Sequence, residues 1–246
     1  SLLTHSGTVH AIAVSQCGRR LATGSMDKTV IVWNTHTGEA ELQLSGHTET
    51  VRSLAFYPDG QRLAGGSDST TRVWDTSTGG VIRILRREDG GGRAVAWSRD
   101  GQMLATGGKS GGVQLVETGT WKMVRSFKGQ GQIETLAFSP DGGALAAGGW
   151  GRAVYVWDTH TGGLRLCLHG HSDCACSRKD GKLLEDCKIE GHRSFLLSVA
   201  FSPDGQRLAS SCYRGEIKLW DAATGALLRS FHGGRCAVFA PDVTRR

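Results

Sequence analysis

Three sets of side chains in this sequence have the types that chemistry requires. His5, Thr23 and Asp27 offer a base, a hydroxyl and a carboxylate, and His192 with Ser210 repeats part of that set. A base beside a hydroxyl is the arrangement of nucleophilic acyl transfer. Gly107-Gly108-Lys109-Ser110 has the ending of a phosphate-binding loop. Cys167, Cys174, Cys176 and Cys187 crowd together with His169, His171 and His192, all zinc-ligand types.

Local sequence argues against each. A nucleophilic hydroxyl must be exposed and activated, whereas here it lies mid-strand. No catalytic residue is expected. The phosphate loop needs a glycine five places before Gly108, where Met103 stands. Its surroundings read as a strand-to-strand turn with no helix after it. The spacing C-x6-C-x-C-x10-C fits no usual zinc pattern. No metal and no cofactor are therefore expected. The seven cysteines read as small buried residues in a reducing compartment.

What positions these residues is a repeat. Trp33 and Trp74 are 41 residues apart, Val116 takes the next tryptophan place, Trp157 follows 41 residues later and Trp220 comes 63 after that. The phrase DGQRLA stands at Asp59–Ala64 and Asp204–Ala209, DGQMLA at Asp100–Ala105, and FSPDG at Phe138–Gly142 and Phe201–Gly205. Gly-His pairs end at His47, His171 and His192. Between them run short apolar stretches of period two, such as Val51–Phe56, bounded by Gly, Asp and Ser. That patterning reads as antiparallel strands, with the Asp-Gly pairs as hairpin turns. A four-stranded unit cannot bury both faces alone, so neighbours must stack, and radial stacking closes a ring.

Gly-His openings and Trp-Asp endings at this period resemble the WD40 family over nearly the whole chain. The repeats are similar to those of long WD40 arrays in multidomain signalling proteins. The resemblance implies an all-β propeller derived from seven blades, forming a single domain over residues 1–246. Its repeats span about 5–46, 47–87, 88–128 and 129–170, then a truncated 171–191, then 192–231. Residues 232–246 with 1–4 would make a partial closing blade. Five blades are complete and one is gutted. Unpaired strand edges at the gutted and closing blades predict a chain less stable than an intact ring.

The family also implies a hydrogen-bonded tetrad in each blade. The first blade holds all four members, His5, Thr23, Asp27 and Trp33. The second keeps His47, Asp68 and Trp74, with Gly65 in the hydroxyl place. The third keeps Thr106, with Glu88, Ser110 and Val116 elsewhere, and the fourth keeps Trp157. The sixth keeps His192, Ser210 and Trp220, with Arg214 in the Asp place. Partial networks of this kind predict a rigid first blade and softer third and fourth blades.

Three places per blade line the family's channel rim. Carried over, they are Thr8, His10 and Met26; Thr50, Arg52 and Ser67; Gly91, Arg93 and Lys109; Gln132, Glu134 and Trp150; and Phe195, Leu197 and Tyr213. Trp150 and Tyr213, flanked by Phe195 and Leu197, form an aromatic side, and Arg52, Arg93 and Lys109 a basic arc. Aromatic anchors beside Arg and Lys have the composition of an interaction hot spot. The expected partner is a peptide or loop with an apolar anchor and acidic flanks. Phe195 and Leu197 have a second reading, as filling for the damaged ring.

The expected function is a non-catalytic protein-interaction scaffold. The alternative is an intramolecular regulatory or sensor domain of a larger signalling ATPase-type protein. A net charge of +6 without a basic run argues against nucleic acid. No apolar run of about 18 residues argues for a membrane span, and no secretory leader is expected. The expected state is a monomeric propeller or part of a larger chain, in the cytoplasm, with the nucleus as alternative.

Overall fold

The computed structural model describes residues 4–68, 70–87, 90–169, 178–179, 182–183, 191–236 and 238–239. The chain divides into two compact units, residues 1–126 and 127–246.

The first unit holds three four-stranded antiparallel sheets, each an up-and-down meander. They are β1 (Val9–Val14), β2 (Arg20–Ser25), β3 (Val30–Asn34) and β4 (Ala40–Leu44); β5 (Val51–Phe56), β6 (Arg62–Ser67), β7 (Thr70–Asp75) and β8 (Val81–Arg86); and β9 (Ala94–Trp97), β10 (Met103–Gly107), β11 (Gly112–Glu117) and β12 (Met123–Lys128). The Asp-Gly turns behave as read: Gly60, Gly101, Gly142 and Gly205 all sit near φ +72°, where glycine alone is unstrained. Val116 pairs with Leu104 as Trp33 pairs with Leu21, so it does take the tryptophan place.

Stacking supplies the core. Ala22, Val30, Val32 and Leu44 of the first sheet meet Val51, Leu54, Leu63 and Trp74 of the second. Ala64 and Val73 then meet Val95, Trp97 and Leu104 of the third. Two hydrogen bonds fix the second step: Val95 N–H to Ser53 Oγ at 3.2 Å and Trp97 Nε1–H to the Ala55 carbonyl at 3.0 Å.

The second unit contains β13 (Ile133–Phe138), β14 (Ala144–Gly149), β15 (Val154–Asp158) and β16 (Leu164–Leu168), a short hairpin of β17 (Arg178–Lys179) and β18 (Lys182–Leu183), and β19 (Leu196–Phe201), β20 (Arg207–Cys212), β21 (Glu216–Asp221) and β22 (Leu227–His232). The sheets on either side of the truncated repeat are direct neighbours. They share one core of Ala146, Val154, Val156 and Leu168 against Leu196, Val199, Leu208 and Trp220. Val199 N–H donates to Thr135 Oγ at 3.1 Å, the counterpart of the Val95–Ser53 bond. The truncated repeat therefore inserts no blade between them. The rest of what was expected of residues 171–191 lies outside the described residues.

Only part of the cysteine expectation holds. Cys212 is buried, but Cys17 and Cys236 are exposed, and Cys167 is disulfide-bonded. Cys174, Cys176, Cys187 and His171 lie outside the described residues. No helix among the described residues is long and apolar enough to cross a membrane.

Candidate functional site

The rim is built by a repeated backbone device. In four of the five four-stranded sheets among the described residues, the first strand has a register shift just after its opening residue, as between Ile133 and Thr135 or Leu196 and Ser198, while β9 of the third sheet pairs without one. Such a bulge re-aims the chain at the sheet end. A backbone bond then ties the residue after the second strand to the residue before the first strand. These bonds are Met26 N–H to the Thr8 carbonyl at 2.9 Å, Trp150 to Gln132 at 2.8 Å and Tyr213 to Phe195 at 3.0 Å. In the third sheet the equivalent bond joins Lys109 to Gly90, one residue earlier than the sequence alignment placed it.

In the second unit this device assembles an aromatic ladder. Trp150 stacks on Phe195 with centroids 5.5 Å apart, and Phe195 stacks on Tyr213 at 4.7 Å. The Arg235 guanidinium lies over the Tyr213 ring at 4.5 Å. Glu134 steadies the near end, accepting hydrogen bonds from Trp150 Nε1 at 2.8 Å and Gln132 Nε2 at 2.5 Å. Trp150 is 57% exposed and Tyr213 48% exposed. Phe195, whose role was open, lies between these exposed rings. Leu197 is half-buried.

In the first unit the basic arc closes on a carboxylate. Arg93 Nη1 lies 2.9 Å from Asp68, with Arg52 and Lys109 each at 3.8 Å. Asp68 was expected to serve the second tetrad, and this is corrected. Val51 pairs with Ser67 as Val9 pairs with Ser25, so Asp68 follows its strand as Met26 does, in the rim place. The one-residue deletion falls in the turn after β6 and carries Asp68 from His47 to the rim. His10 and Met26 are exposed at the first sheet's end.

The His, hydroxyl and Asp sets are held in hydrogen-bonded networks. In the first blade His5 Nδ1 lies 2.9 Å from Asp27, and His5 Nε2 lies 2.8 Å from Thr23 Oγ. Trp33 Nε1–H donates to the same hydroxyl at 2.8 Å, which covers it. Burial alone would raise the Asp27 pKa. Hydrogen bonds from the Thr29 hydroxyl and amide, His5 and the Ser6 amide outweigh that and hold it well below the usual carboxylate range.

The other blades improvise. In the second, Trp74 fills the space of the missing hydroxyl: a Cβ on Gly65 would lie 2.6 Å from its ring. Gly65→Ser, which restores the family residue, is therefore expected to destabilise by about 1–3 kcal/mol rather than repair the network. Urea unfolding of the variant checks this, and an unchanged or higher midpoint refutes it. In the third blade, Arg87 does what an opening His would do, with Nη1 donating to Thr106 Oγ at 3.2 Å and to the Thr106 carbonyl at 2.8 Å. Sequence reasoning looked one residue later, at Glu88, which lies outside the described residues. In the fourth blade, Trp157 stacks with Phe127 and with Tyr155. In the sixth, His192 Nε2 meets Ser210 Oγ at 2.7 Å, and Trp220 donates to that hydroxyl at 2.8 Å. Glu216, not Arg214, faces His192 Nδ1, at 3.3 Å. Lys109 and Ser110 lie between β10 and β11, so no helix follows the phosphate-loop-like residues.

A family model described as the IFT122 first β-propeller matches residues 1–180. A model of the WD domain, G-beta repeat, matches residues 185–221. Periodic tryptophan protein 2 of Arabidopsis thaliana is 27% identical over 239 residues, which cover 94% of this chain and 24% of that protein. Nuclear distribution protein PAC1-2 of Postia placenta is 46% identical over 44 residues, 18% of this chain and 10% of its own. Vegetative incompatibility protein HET-E-1 of Podospora anserina is 60% identical over 37 residues, 15% of this chain and 3% of its own. The chain thus spans about a quarter or less of the length of these relatives.

Proposed function

From the premise that this chain belongs to the family of the IFT122 first β-propeller and carries WD40 repeats, we propose that it is a non-catalytic scaffold that binds other proteins through its blade rims. The propeller is taken as one domain over residues 1–246. The carrying observation is the aromatic ladder. Trp150 and Tyr213 hold large apolar rings half in water, prearranged by Phe195, Glu134 and Arg235. Rings that need no reordering lose little entropy on binding, so burying them favours association strongly. The ladder takes an apolar anchor from a peptide or loop. Separately, Arg52, Arg93 and Lys109 gather around the Asp68 carboxylate on that part of the rim, a concentration of cations that favours acidic segments.

A pull-down from source lysate, followed by affinity measurement on the proteins retained, tests this. Trp150→Ala with Tyr213→Ala is expected to weaken partner binding by about 30-fold or more, which is about 2 kcal/mol. Circular dichroism must show the double variant folded. Arg52→Glu is expected to slow association and reduce its salt dependence. Equal retention by wild type and double variant would place binding on another surface.

A second reading is a regulatory or sensor propeller inside a larger signalling ATPase-type chain. It is favoured by how small a fraction of the longer relatives the matched segments are. A nucleotide-binding domain in the flanking sequence would support it, and none in the full gene product would remove it.

A further inference from the structure

The sixth blade departs from the first two at two places that face its opening histidine. Cys212 pairs with Leu196 where Ser25 pairs with Val9 and Ser67 with Val51. Glu216 sets an oxygen 3.3 Å from His192 Nδ1. In the first two blades, threonine hydroxyls hold that position, Thr29 at 3.2 Å from His5 Nδ1 and Thr70 at 3.4 Å from His47 Nδ1. Serine has become cysteine and threonine has become glutamate around the same ring. A hydroxyl-lined pocket is thereby converted to imidazole, thiol and carboxylate, with ligand atoms all within 4.8 Å of one another.

We propose that His192, Cys212 and Glu216 form a buried site for a zinc-class divalent cation. Three features support it besides the donor types. His192 is fully buried, and its Nδ1 makes no hydrogen bond while facing the carboxylate. The 3.3 Å between Nδ1 and Glu216 Oε2 equals the edge that two ligands at about 2.0–2.1 Å make around a tetrahedral zinc. The outer face of the ring is held as in metal sites, with Nε2 on Ser210 and Ser210 on Trp220.

Charge balances. The Cys212 thiol gives its proton to solvent, and its thiolate and the Glu216 carboxylate neutralise the dication. The imidazole binds through Nδ1 as the neutral tautomer, with the proton on Nε2 toward Ser210. Lys218 stays on the other carboxylate oxygen, Oε1, at 3.1 Å. Water takes the fourth position.

The test is titration of the full, reduced and chelator-treated chain with Co2+, read by absorption. The expected result is one tetrahedral cobalt with a thiolate charge-transfer band. Cys212→Ser should abolish that band and weaken binding at least about tenfold. The fold accepts this change, since Ser25 and Ser67 already occupy that place in the first and second blades. Glu216→Gln should weaken binding while keeping the band. Zn2+ should raise the Tm of the wild type and leave Cys212→Ser unmoved. No charge-transfer band in the wild type overturns the proposal. A band unchanged in Cys212→Ser does the same, because the metal then sits on other cysteines.

Discussion

Trp74→Ala is expected to lower the free energy of unfolding by about 3–5 kcal/mol. Trp74 is fully buried at the junction of the first two sheets, packed with Val30, Val51 and Leu63. His47 stands edge-on to its ring at 5.2 Å. Removing the indole leaves a cavity that two rigid sheets cannot close. The phenylalanine variants sharpen the argument. The buried Trp74 Nε1 has no hydrogen-bond partner, so Trp74→Phe loses packing volume but removes an unsatisfied donor. Trp220 Nε1 donates to Ser210, so Trp220→Phe strips a satisfied buried network, at about 1–3 kcal/mol beyond the volume change. Urea unfolding of the three variants gives the order. If Trp74→Phe loses as much as Trp220→Phe, the improvised second tetrad is wrongly described.

Acid is expected to destabilise the protein through His47. Burial, helped by the positive charge of Arg72, pushes its pKa down to about 4 from 6.5. The folded state therefore holds the ring neutral, while the unfolded chain protonates it below pH 6.5. Stability from this residue is complete above pH 6.5, declines as pH falls, and is gone below about pH 4. The loss amounts to about 3 kcal/mol. Unfolding free energies at pH 7 and pH 4 measure it. The difference should shrink by about that amount in His47→Gln. An equal difference in both proteins would show that the ring is not held neutral.

The fold was legible because the sheet pattern is local. Strand period, Asp-Gly turns and the recurring tryptophans each depend on a few adjacent residues, and the propeller assignment followed from their repetition. The first tetrad was legible for the same reason, since His5, Thr23, Asp27 and Trp33 all match the repeat. What failed was alignment across small gaps. One missing residue in the turn after β6 turned Asp68 from a tetrad member into the hub of the basic arc. Arg87 does the work sought one residue later, and Glu216 supplies the carboxylate sought at Arg214.

By itself the sequence determined the class of fold and the turns between strands, because both follow from chain-local periodicity. Tertiary structure alone decided which side chains meet. It stacked Trp150, Phe195 and Tyr213 into one ladder, and packed the fourth and sixth repeats together past the truncated one. It also set Cys212 and Glu216 against His192. Those pairings depend on register shifts at bulges and on which sheet stacks on which, and neither is encoded in the spacing of any single repeat.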